Sequence, residues 1–105
     1  MASFRATRTV VIGIPEGLHA RPAELLARTA AKFQSQVELI NGSLRADAKS
    51  ILHLLSLGAP QGTELVVEAV GDDAEQAADA IEQLVASGFT NTNTDTVQTE
   101  RASSK

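Results

Sequence analysis

The chain changes its hydrophobic rhythm several times, and each change predicts an element. Arg8 to Ile14, "RTVVIGI", is β-rich and bounded by Pro15 and Gly17, which predicts a strand ending near Ile14. Beyond it, Pro22, Leu26, Thr29, Ala30 and Phe33 recur at helical spacing and share one face. Proline is tolerated in a first helical turn, where its missing N–H would find no partner anyway, so this helix is expected to start at about His19 or Ala20. "QVELINGSLRA" predicts a hairpin around Asn41-Gly42, because that dipeptide accepts positive φ at low cost. "KSILHLLSLG" predicts a short helix opened by Ser50 as N-cap and closed by Gly58. "TELVVEAV" is a further strand. Ala77, Ala78, Ile81, Leu84 and Val85 then form the apolar stripe of a long helix that begins near Asp72 or Asp73 and ends at Gly88.

The resulting order is β-α-β-β-α-β-α, which suits an antiparallel sheet with helices packed on one face, an α+β domain over residues 1–89. From Thr90 to Lys105 the composition turns polar and Thr/Asn-rich, and this segment is expected to be a disordered tail. A chain of 105 residues makes one small domain with a modest core. It has no cysteine, so disulfides, thiolate zinc sites and thiol nucleophiles are excluded, and two histidines do not by themselves make a metal centre. No cofactor and no metal are expected. The apolar run near the N-terminus is too short to cross a membrane and lacks a signal-peptide cleavage pattern, so a cytoplasmic address without membrane insertion is expected.

Net charge is −4, and the stretch from Asp72 to Glu82 alone carries −5, leaving the remainder at +1. Without a basic run, and with three Phe as the only aromatics, nucleic-acid binding is not expected.

The chemistry concentrates in "GLHARP". A histidine at a helix mouth stands beside free backbone N–H groups and the positive end of the helix dipole, a position that receives anions. The same field disfavours an imidazolium and leaves the ring a lone pair with which to attack phosphorus. A phosphoryl group on His19 would then face the first amides of the helix, those of Ala20 and Arg21, with the Arg21 guanidinium as a second cationic donor. As a bare tetrapeptide, His-x-Arg-Pro is too short to be specific, and the bland alternative is a histidine that caps the helix beside a solvated arginine.

The larger pattern decides. "GLHARPAELLARTA", followed 17 residues later by "AKSILHLLSLG" after an Asn-Gly hairpin and before a strand and a long helix, resembles the HPr family over about Arg8 to Phe89. These are the histidine-containing phosphocarriers of the phosphoenolpyruvate-dependent sugar phosphotransferase system. The resemblance implies an open-faced β-sandwich of four antiparallel strands covered on one face by three helices. It implies that His19 is the phosphoryl acceptor, that Arg21 neutralises the phosphoryl charge and that Pro22 completes the motif. It further implies Enzyme I as donor, Enzyme IIA components as acceptors, and Ser50 as the site of a serine-specific HPr kinase/phosphorylase in some members. The carrier would be a monomer and a shuttle with no small-molecule turnover of its own.

Several residues carry two readings. Ser50 is a good N-cap without any regulation. Glu16, where relatives usually have a small polar residue, either repels an incoming phosphoryl group or faces solvent. His53, one turn after Ser50, reads as a solvated or interface histidine. On the second helix Leu54 and Leu57 face away from Ile51, Leu52 and Leu55; Leu54 belongs to the core, and the other three are expected to form an exposed docking patch for partners. Two alternative functions remain. One is a purely regulatory relative serving nitrogen or carbon control; the other is a small-molecule-sensing module of ACT type, of which Gly13 and Gly17 are a weak echo.

Overall fold

The computed structural model describes residues 4–90. Seven elements follow in the expected order: β1 (Phe4–Val11), α1 (Ala20–Ala30), β2 (Gln36–Asn41), β3 (Leu44–Asp47), α2 (Ile51–Leu55), β4 (Glu64–Gly71) and α3 (Ala74–Ala86). The strands form one sheet in the order β1-β4-β2-β3, antiparallel at every pairing. Period-two alternation sets its two faces. Ala6 and Val10 of β1, Val37 and Leu39 of β2, Ala46 of β3, and Leu65, Val67 and Ala69 of β4 are buried beneath the helices. Their neighbours Arg5, Thr7, Thr9 and Glu64 remain exposed, so the opposite face of the sheet is open.

The helices cover the inner face, α3 with several small residues among those it buries. Ala74, Ala77 and Ala78 of α3 are fully buried beside Ile81, Leu84 and Val85. Pro22, Leu26, Thr29 and Ala30 are buried on α1, while Phe33 lies in the turn after the helix, packed against the core and half-buried. Gly88 closes α3: its N–H donates to the Val85 carbonyl (3.0 Å), and that of Phe89 to Leu84 (2.9 Å), the paired bonds of a Schellman motif.

Three local expectations need correction. β1 spans Phe4–Val11 and stops short of Ile14, because β4, its pairing partner, begins at Glu64 opposite Val11. The hairpin turns at Gly42-Ser43, with Asn41 paired to Leu44. Among the turn's central residues only Gly42 (φ 62°) has positive φ, the pattern of a II′ turn, and Asn41 instead spends its side chain on the Leu57 carbonyl at 3.0 Å. α2 ends at Leu55, before Gly58, whose φ of 57° lets the chain leave the last turn. Asp73 is the N-cap of α3, yet its carboxylate makes no capping bond. It accepts instead from the N–H groups of Gln34 (2.9 Å) and Ser35 (2.9 Å) and from the Ser35 hydroxyl. The expected polar tail, Thr90 apart, lies outside the described residues.

Candidate functional site

The loop from β1 to α1 is fastened link by link to the loop from α2 to β4. Ile12, fully buried, donates its N–H to Thr63 (2.9 Å) and accepts from Gly62 (2.7 Å). The Gln61 side chain donates to the Gly13 carbonyl at 3.0 Å. Gly17 N–H donates to Ile14 at 3.0 Å, closing a turn around Pro15 and Glu16. Gly17 itself has φ 75°, and a Cβ there would fall 2.8 Å from the Ala59 carbonyl oxygen and 2.9 Å from Pro60 Cα. Only glycine meets both demands. The next residue, Leu18, is buried and donates its N–H to Ala59 at 2.8 Å. His19 therefore follows an anchored hydrophobe.

His19 is the N-cap of α1, in extended conformation (φ −96°, ψ −166°), and its carbonyl accepts the first helical bond from Ala23 at 2.9 Å. Its side chain makes no capping bond, which removes the simple capping explanation. Pro22 has no N–H, and among the described residues the amides of Ala20 and Arg21 find no acceptor. Two free donors thus point out of the helix mouth beside an exposed imidazole. The Arg21 side chain is exposed on the first turn and, among the described residues, joins no ion pair; neither does Glu16, exposed in the preceding turn.

Ser50 caps α2 as expected: its hydroxyl oxygen accepts from the His53 N–H, at a long 3.3 Å. The residues before it are fixed by Asp47, whose carboxylate accepts from Lys49 N–H (2.9 Å) and whose carbonyl accepts from Ser50 N–H (3.0 Å). The Lys49 ammonium donates to the Phe33 carbonyl at 2.9 Å. Leu54 and Leu57 are buried, whereas Ile51, Leu52 and Leu55 are 40%, 77% and 37% exposed, so this short helix does leave an apolar triad on the surface. His53 is exposed. No cluster of three or more potential metal ligands occurs among the described residues, and none of their helices is long and apolar enough to cross a membrane.

Sequence reading pointed to His19, Arg21 and Ser50 but not to the brace behind the histidine loop. Gly17, Ala59 and Gln61 hold the histidine loop, and the one local signal was a glycine two residues before the histidine.

An open-faced α+β sandwich with a single histidine at a braced helix mouth is a recognisable class, and comparison with known proteins agrees. The family model described as "PTS HPr component phosphorylation site" matches residues 6–87. The phosphocarrier protein HPr of Mycoplasma capricolum is 41% identical over 85 residues, covering 81% of this chain and 91% of that protein. Among solved structures, an HPr from Thermoanaerobacter tengcongensis aligns with a TM-score of 0.77 and 42% identity, covering 80% of this chain and 94% of that one. A mycoplasma histidine-containing phosphocarrier protein aligns at 0.75 and 36%, covering 80% and 97%. The chain belongs to the HPr family, the phosphocarrier proteins of the phosphotransferase system. Neither the purely regulatory alternative nor the ACT-type alternative is favoured by these matches.

Proposed function

We propose that His19 is the residue that carries the phosphoryl group. The supporting observation is the helix mouth itself: an exposed imidazole that caps nothing, beside the unengaged amides of Ala20 and Arg21. In the transfer, the lone pair of one His19 ring nitrogen forms an N–P bond while the N–P bond of the phosphorylated Enzyme I histidine breaks. The donor imidazole leaves with that electron pair. The phosphoryl oxygens then accept from the two free amides at the positive end of α1, and the Arg21 guanidinium supplies a charge-assisted bond. The reverse chemistry delivers the group to an Enzyme IIA component. The carrier is thus consumed and regenerated as a substrate of its partners, and it turns over no small molecule.

Partners dock on the exposed triad Ile51, Leu52 and Leu55, and a serine-specific HPr kinase/phosphorylase acts on Ser50 at the start of the same helix. The carrier works as a cytoplasmic monomer. Incubation with Enzyme I and labelled phosphoenolpyruvate tests the assignment. Wild type should take up an acid-labile, base-stable label, and His19→Ala none; equal labelling of both would sink it.

A further inference from the structure

We propose that Glu16 is a tuning residue for phosphoryl transfer: its carboxylate raises the free energy of the phosphorylated carrier. The inference rests on His19 as the acceptor and goes beyond it. Glu16 is three peptide units from His19, which caps their Cα separation at about 11 Å for a fully extended chain. The bend that brings His19 N–H to the Gly17 carbonyl (2.9 Å) makes it shorter. Nor can the loop swing away freely, since Gly17 and Leu18 are pinned to Ala59 and Pro60 and the turn around Glu16 is closed by the Gly17–Ile14 bond.

The charges around the acceptor are unspent. Glu16 and Arg21 flank His19, carry opposite signs and are both exposed, yet among the described residues neither pairs with the other or with anything else. Neither field is cancelled by a local ion pair. Arg21 therefore attracts a phosphoryl group on His19, and Glu16 repels it. A group bearing about two negative charges feels the repulsion more than the neutral imidazole does, so the carboxylate destabilises the product of phosphorylation and favours onward donation. At roughly 10 Å through water, one unit charge against such a group shifts an equilibrium about threefold at low ionic strength, and almost nothing once the Debye length falls below about 5 Å.

The test measures an equilibrium, so that changes in docking do not enter. With catalytic Enzyme I and excess pyruvate, phosphoenolpyruvate and carrier equilibrate with phospho-carrier and pyruvate. The phosphoryl group moves from the enol oxygen to His19 through Enzyme I, and the released enol takes a proton from solvent. At about 10 mM salt, Glu16→Gln should shift this equilibrium roughly threefold toward phospho-carrier, and Glu16→Lys about eightfold. At about 0.5 M salt both should return close to wild type. Equilibria indistinguishable from wild type at low salt would overturn the proposal, as would a shift of undiminished size at high salt. A His19→Ala control that still takes up label would overturn the acceptor assignment as well, so the two failures are told apart.

Discussion

At the scale of single residues, the loop that carries His19 depends on a glycine. Gly17 holds φ 75° and approaches the Ala59–Pro60 backbone more closely than any Cβ allows. Gly42 also has positive φ (62°), but open space surrounds it. The pair separates backbone strain from collision. Either Gly→Ala change should cost about 1–3 kcal/mol for the left-handed conformation. Only Gly17→Ala must also push the histidine loop off its brace, so it alone should slow Enzyme I-dependent labelling of His19 in protein that remains folded. Urea titrations followed by far-UV circular dichroism, paired with labelling rates, check both halves. Equal labelling rates for the two variants would show that the brace does not position His19.

At the scale of elements, α2 combines a capping serine with an exposed apolar triad, and a charge at its start should be felt by whatever lands on the triad. Aspartate is as good an N-cap as serine, so Ser50→Asp should leave the fold and its melting temperature nearly unchanged. An approaching Enzyme I would meet a carboxylate beside Ile51, Leu52 and Leu55 and should bind more weakly, with KM raised roughly two- to fivefold, the scale of one exposed charge interaction. Steady-state phosphorylation at limiting Enzyme I measures this, and an unchanged KM would reduce Ser50 to a helix cap. This helix also shows what sequence reveals. Its cap, its buried Leu54 and its exposed triad were legible because each is set by spacing within a few residues, as were the mouth of α1 and the stripe of α3. The fastenings were not. Asp73 reads as a helix-dipole acid, yet its carboxylate bonds Ser35, 38 residues earlier in the chain. Arg8 lies in a β-rich run, but its guanidinium reaches Asp79 (2.8 Å) and Glu75 (2.9 Å) of α3. A row of acids at helical spacing predicts an acidic face, and nothing local tells which arginine the fold delivers to it.

At the scale of the whole molecule, those long-range fastenings predict how the fold responds to acid. Asp73 ties the start of α3 to the α1–β2 connection, where the chain is packed so closely that a Cβ on Gly71 would lie 2.8 Å from Ser35 Cα. Bonds from the Ser35 hydroxyl, then from the Gln34 amide, hold the Asp73 carboxyl below its ordinary value. On the open face of the sheet, the hydrogen bond from Arg45 (2.9 Å), aided by the charge of Arg5, depresses Glu68 in the same direction. A carboxylate whose folded value lies below its unfolded one binds protons more readily in the unfolded chain. Its stabilisation is therefore complete above the unfolded value and is lost as pH falls through the folded one, that is, from about pH 4 downward. Asp73→Asn removes one of the two groups. The variant should be less stable than wild type at pH 7, should lose stability less steeply below about pH 4, and should approach wild type at the acid end. Glu68 still titrates, so some slope survives, and adding Glu68→Gln should flatten it further. The chain has no Trp or Tyr, so far-UV circular dichroism across a urea series at each pH is the measurement. Curves for Asp73→Asn and wild type that run parallel through the acid range would mean that the Asp73 carboxylate is not linked to folding.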